Sequence, residues 1–284
     1  MNARQLVSQF QSLVKEGRFL TSGKVSPRVR SKISSDAPKA LIFSPHPDDE
    51  CIVGGLALRL LRESKWNVLN VAVTLGSKRE RRVARLRELR NACAFLGFGL
   101  IVPREQGLEH ITLKSRKKNG THWKMAVRVI AEILAVQRPR AIFVPHENDG
   151  HPAHIGTHFL VRDALKTLPA GFRCHVVETE FWAQMMKPNL LVELGVTDAA
   201  DLIAALACHA GEVRRNPYHA RLPAWMVDNV RRGAELVGRT GGVAPDFVFG
   251  AIYRLGQWSH GRLLPVQSRQ GFFPCTTKAG KLFA

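Results

Sequence analysis

The chain has 284 residues, 45% of them hydrophobic, with 42 Lys and Arg against 23 Asp and Glu and a formal net charge of +19. That length buries a sizeable core, as one large α/β domain or two small ones, and no apolar run approaches the roughly 18 residues of a membrane span. The charge points to an anionic partner (nucleic acid, phospholipid, or a phosphorylated or acidic sugar) or to a solvated basic surface. The basic residues are spread along the chain and aromatics make up only 7%, so stacking platforms for single-stranded nucleic acid are not indicated.

Residues 3–15 place Leu6, Phe10, Leu13 and Val14 at helical spacing and read as one amphipathic helix. Residues 21–38, rich in Ser, Lys, Arg and Pro, read as an exposed arm. Residues 1–38 are thus expected to be an N-terminal helix and basic linker, and 39–284 a single domain with its core at 39–210 and a C-terminal extension at 211–284. From Lys39 the chain alternates. Strands are predicted at Lys39–Ser44, Asn67–Leu75, Leu100–Pro103, Ala141–Val144 and Cys174–Phe181. Helices are predicted between them at Gly54–Ser64, Glu80–Leu96 (closed by Gly97), Trp123–Gln137 and Ile155–Thr167. A late strand is predicted at Phe247–Leu255, after Gly241. Such alternation implies an α/β fold: a mostly parallel sheet with right-handed crossovers and helices on both faces.

Five cysteines, Cys51, Cys93, Cys174, Cys208 and Cys275, show no paired spacing, and the N-terminus lacks an apolar signal core. Reduced thiols and a cytoplasmic protein are expected.

Two polar clusters follow predicted strands. Pro45-His46-Pro47-Asp48-Asp49-Glu50 follows the first, and Pro145-His146-Glu147-Asn148-Asp149-Gly150-His151-Pro152-Ala153-His154 follows Ala141–Val144. Parallel sheets bind ligands at the carboxyl ends of their strands, so the clusters share one edge and become neighbours if those strands pair at the switch point. So many buried charges need water or a partner such as a metal. His46 and Asp49 can supply two ligands from one tight turn. His151, His154 and His158 share a helical face if Pro152 opens a helix; one can complete the site while another faces the substrate. Asp48, beside a ligand, is the natural general base for a water made acidic by Zn²⁺. A histidine across the site can stabilise an oxyanion and protonate a leaving amine. That combination suits metal-assisted amide hydrolysis.

These residues resemble the zinc-dependent N-acetylglucosaminyl de-N-acetylases, the PIG-L or LmbE-like family. The resemblance rests on residues 45–50, on His151-Pro152-Ala153-His154, on Thr74-Leu75-Gly76, on Arg85-x-x-Glu88-x-x-x-Ala92-x-x-x-Leu96-Gly97 and on Ala205-Leu206-Ala207-Cys208-His209. It implies a Rossmann-like three-layer sandwich of the LmbE type. It implies zinc, or another divalent metal, on His46, Asp49 and His154, with Asp48 as general base and His151 stabilising the oxyanion and assisting the leaving amine. It implies an amino-sugar or glycoconjugate substrate, for which the charge makes an anionic group a candidate, and it disfavours nucleic acid as a partner. The runners-up are a deacylase of an antibiotic or thiol-cofactor precursor, and a non-catalytic nucleic-acid-binding protein on the same fold. Where the family has an acid, this chain has Ala153; the loss is expected to lower the pKa of His151 or to leave its orientation to another group, for which Asp149 is a candidate. His146 and His158 read as supporting residues. Arg79, Arg81 and Arg82 are candidates for a substrate phosphate or carboxylate. Residues 212–219 are candidates for a cleft wall or a contact in a homo-oligomer, and Trp182 and Trp225 read as core or interface.

Overall fold

The computed structural model describes residues 1–20, 33–238, 243–266 and 271–284. Most of the expected arm at 21–38, and Gly241, lie outside these. Among the described residues nine strands form one sheet: β1 (Lys39–Ser44), β2 (Asn67–Ala72), β3 (Gly99–Ile101), β4 (Ala141–Pro145), β5 (Cys174–Thr179), β6 (Leu190–Leu194), β7 (Phe249–Ser259), β8 (Arg262–Pro265) and β9 (Gly271–Phe273). Their order is β3-β2-β1-β4-β5-β7-β6-β9, with β8 folded back on β7. β1 through β5 run parallel, while β7 is antiparallel to both β5 and β6. The sheet is therefore mixed but mostly parallel. The late strand runs from Phe249 to Ser259, and it sits inside the sheet, between β5 and β6.

The helices are α1 (Ala3–Gly17), α2 (Asp49–Ile52), α3 (Gly55–Ser64), α4 (Arg82–Leu96), α5 (Leu113–Lys118), α6 (Thr121–Gln137), α7 (Pro152–Thr167), α8 (Val196–Ala207), α9 (Ala210–Val213) and α10 (Tyr218–Leu236). β1 explains their distribution. Side chains alternate across a strand, so Ala40 and Ile42 enter one core with Leu56, Leu60, Leu89, Leu206 and Met226 from α3, α4, α8 and α10. Leu41 and Phe43 enter the other with Trp123, Ile130, Leu160 and Val161 from α6 and α7. A central parallel strand covered on both faces reads as one continuous apolar run, as Ala40–Phe43 does. The three layers follow.

β1 pairs with β2 on one side (Leu41 against Leu69) and with β4 on the other (Leu41 against Ile142). The strand order reverses between β1 and β4, which opens a crevice at their carboxyl ends. The loops after β1 and β4 carry the two polar clusters into it.

Some element ends differ from those read in the sequence. β2 stops at Ala72, and the following turn is tied instead by Val73 N–H to the Ser44 carbonyl and by a bridge between Thr74 and Gly107. α7 begins at Pro152 rather than Ile155, because the His151 ring accepts the Ala153 N–H at 3.2 Å and caps the helix ahead of a proline already set for its first turn. α1 ends against α10, where Gly17 faces Ala220.

Arg59 fastens the C-terminal tail. It is fully buried on α3, paired with Glu63 at 2.6 Å, and it donates to the carbonyls of Glu193, Phe273, Pro274 and Thr277. Removing it leaves these acceptors and Glu63 without their cation, so Arg59→Met is expected to cost about 3 kcal/mol or more. Urea unfolding measures this as a lower midpoint, and proteolysis is expected to begin after Phe273.

Candidate functional site

The loop after β1 is wound tightly. Asp48 has φ 117°, the left-handed side of backbone space, and α2 starts at Asp49. The reversal turns the Asp49 carboxylate back on the loop, where its Oδ2 accepts the His46 N–H at 2.7 Å. From the β4 side, α7 brings His154 to the same carboxylate. Asp49 Oδ2 lies 3.6 Å from His46 Nδ1 and 3.5 Å from His154 Nε2. The His46, His151 and His154 rings pack within 5.4 Å of one another, centroid to centroid.

Asp49 Oδ1 and His154 Nε2 are buried without a hydrogen-bond partner. Two imidazoles and a carboxylate with unused lone pairs at this spacing fit a divalent metal of the zinc type. His46, His151 and His154 can also bring one nitrogen each within 4.8 Å of the others. His151 differs from the other two, since its Nδ1 already accepts the Ala153 N–H. That bond places the proton of the neutral ring on Nε2, where it is available as a donor.

The charges follow from burial and neighbours. Burial pushes Asp49 up, but His154 and His46 outweigh it and hold its pKa at about 2. Burial raises Asp48 well above the ordinary carboxylate range, and Asp49 beside it adds to this against the pull of His209 and Arg85. Burial, with His46 and His154, lowers His151 to about 4. Burial works against the charged form of His154 too, yet Asp49 and Asp149 raise its pKa overall.

Asp149 is the residue whose place the sequence left open. Its Oδ1 lies 3.3 Å from His154 Nδ1 and accepts the Trp182 N–H at 2.9 Å. It therefore orients His154, while the Ala153 backbone orients His151. His158 is buried beneath, with Nδ1 2.8 Å from the Pro145 carbonyl, and His146 Nε2 is 3.0 Å from the Ala183 carbonyl. A further trio, Glu50, Cys51 and His209, is fully buried and internally hydrogen-bonded: the Cys51 thiol at 3.2 Å and His209 Nε2 at 2.8 Å both donate to Glu50 Oε1.

Above these residues lies a cleft of about 480 Å³. Arg79 and Arg82 line it, but each is paired with Glu109. Arg81 is turned to the Gly211 carbonyl and Glu212. Glu212, Arg215 and Tyr218 form a wall, as the 212–219 segment suggested. Trp182 also lines it, half exposed and 5.6 Å from the His151 ring, whereas Trp225 packs against the core. Glu109, His110 and Thr112, from the loop before α5, complete the rim. Nothing local in the sequence marks that loop. Its position comes from α7, where a Cβ on Gly156 would stand 2.2 Å from the Ile111 carbonyl.

Residues 41–165 match the family model described as PIG-L, GlcNAc-PI de-N-acetylase. No curated protein matches the chain by sequence. Similar solved structures include N,N'-diacetylchitobiose deacetylase from Pyrococcus horikoshii, with TM-score 0.54, 17% identity and coverage of 89% of this chain and 92% of that one. The zinc-inhibited form of teicoplanin deacetylase has TM-score 0.55, 15% identity and coverage of 78% and 98%. The 4-carboxy-2-hydroxymuconate hydratase of Pseudomonas putida has TM-score 0.55, 16% identity and coverage of 77% and 95%. At these identities the likeness is one of fold.

In the metal-free protein the unfolded chain binds a proton on His151 near pH 6.5, which the folded protein refuses until about pH 4. Stability is therefore expected to fall as pH drops across that window, because the unfolded state takes up the extra proton. His151→Gln is expected to flatten this part of the profile, read by urea midpoints between pH 4 and 7. An NMR titration placing the His151 ring above pH 6 would contradict it.

Proposed function

Residues 41–165 match the PIG-L family model, and on that premise we propose that the chain is a metal-dependent N-deacetylase acting on an amino sugar or its conjugate. The observation that carries this reading is the Asp49 carboxylate held between His46 and His154, with Asp48 and His151 beside it in an open cleft. In this reading His46, Asp49 and His154 hold a divalent metal, zinc or another. When bound, such an ion polarises an amide carbonyl and makes water a competent nucleophile near neutral pH.

The side chains divide the remaining work. Asp48 takes a proton from the attacking water. It then passes that proton to the departing nitrogen. His151, neutral at pH 7, donates from Nε2 to the oxyanion that forms at the carbonyl. Without an acid at position 153, His151 is a hydrogen-bond donor rather than a cation. The carbon–nitrogen bond breaks, and acetate (or a similar acid) and a free amine leave. Trp182 and Tyr218 line the cleft and are the aromatic side chains available to pack on a sugar ring.

An anionic group on the substrate is supported by a smaller hollow of about 70 Å³ beside the cleft, bordered by Ser77, Lys78, Arg81 and Arg215. Glu212 is the acid that faces Arg81 and Arg215 there, so positive charge exceeds negative. Two of the similar structures are deacetylases, of N,N'-diacetylchitobiose and of teicoplanin, which supports carbohydrate conjugates as the substrate class. No described helix is long and apolar enough to cross a membrane. All five cysteines are unbridged, which supports a reducing compartment, the cytoplasm.

The test combines metal content with acetate release from acetylated amino sugars. Asp48→Ala is expected to keep its metal and lose activity by about 10²-fold or more. His154→Ala is expected to lose the metal itself. Full activity in Asp48→Ala would sink the assignment of the base. Arg215→Ala is expected to raise KM for a phosphorylated N-acetylglucosamine while leaving the unphosphorylated sugar unaffected.

A further inference from the structure

Gly76, Arg85 and His209 belong to the patterns that carry the resemblance, yet the reaction above gives them no part, nor does it use Glu50. These four residues converge on one peptide unit. Arg85 Nη2 donates to the Pro47 carbonyl at 2.8 Å, and the Asp48 N–H donates to Glu50 Oε2 at 3.0 Å. That carbonyl and that N–H are opposite ends of the same planar peptide. A guanidinium therefore grips one end and a carboxylate the other, both through charge-assisted bonds. Gly76 makes the room, because a Cβ there would stand 2.5 Å from Arg85 Nη1. Glu50 is itself fixed from α8, by His209 just beyond the helix end, and by the Cys51 thiol.

The residue after the gripped peptide is Asp48, with φ 117°. A residue with a Cβ avoids that region and stays there only where its surroundings over-determine it. We propose that Arg85 and the Glu50–His209 pair are positioning residues that lock the 47–48 peptide and so hold Asp48 left-handed, with its carboxylate at the cleft. The benefit to catalysis rests on the deacetylase reading; the lock itself does not.

The test compares Asp48→Gly with Asp48→Ala in metal-free protein by urea unfolding. Both variants lose the carboxylate, but only glycine accepts this φ without steric cost. Glycine is ordinarily the less stable of the two, because it gives the unfolded chain more freedom. Here Asp48→Gly is expected to have the higher midpoint, and adding Arg85→Met to both is expected to shrink or reverse the gap. An equal or higher midpoint for Asp48→Ala overturns the proposal, as does a glycine advantage unchanged by Arg85→Met. Glu50→Leu probes the other grip, and if that variant does not fold the Arg85 pair decides. With Asp48 in place, Arg85→Met is expected to lower kcat about 10–100-fold at unchanged KM and metal content, with Arg85→Lys recovering part. A raised KM at unchanged kcat would place Arg85 in substrate binding and overturn its positioning role. A wild-type protein that releases no acetate from any acetylated sugar overturns the reaction instead, and the urea comparison still decides the lock.

Discussion

The parallel pairing of β1 with β4 is the constraint from which the site follows. It sets Leu41 beside Ile142, and it makes the loops that leave the two strands emerge together at the reversal of strand order. Asp49 then comes within 3.5 Å of His154 although 105 residues separate them in sequence. A carboxylate held at about 2 and a histidine raised by the same contact show how the two loops compensate each other's charge. Neither loop has that compensation alone, and the cost of burying either charge unpaired would be several kcal/mol.

The same principle runs outward from the site. Glu50 is fully buried and answered by His209, whose pKa rises against the effect of burial because Glu50 faces it. Arg85 lies between Asp48, Glu212 and the Pro47 carbonyl. The charges below the cleft are thus arranged in pairs drawn from the loop after β1 with α2, from α4, and from the segment after α8, so the loop geometry depends on helices that the strand–loop pattern alone does not specify.

On the rim the balance differs. Glu109 faces Arg79 and Arg82, and Glu212 faces Arg81, Arg85 and Arg215. Few acids are set against many guanidiniums, which concentrates part of the +19 charge at the entrance. A general basic surface acquires direction there, because a cleft with charged walls focuses the field on whatever enters it.

The alternation of apolar strands and amphipathic helices from Lys39 to Phe181 could be read directly, because the periods of strand and helix differ and both faces of β1 are covered. His46, Asp48, Asp49, His151 and His154 could be read because charged and ring side chains stood at the ends of buried runs. The chain beyond Phe181 could not be read in the same way. β6, α8 and α10 follow no strand–helix alternation, although α8 buries Ala199, Leu202 and Leu206 and α10 buries Leu222, Met226 and Val230 at helical spacing, and β7 enters the sheet antiparallel between two strands that precede it. Trp182, Glu109 and the Lys78–Arg215 hollow reach the cleft through loops whose paths are fixed by packing, as Gly156 fixes the loop at Ile111. The layers, the edge of the sheet and the candidate donor residues were legible in the residues alone. Tertiary structure decided which donor each atom faces: Asp149 turned to His154, the Ala153 backbone to His151, and Glu50 with Arg85 to the peptide before Asp48. Spacing along a chain fixes which face a side chain takes, but the partner across a crevice depends on where the other strand's loop ends.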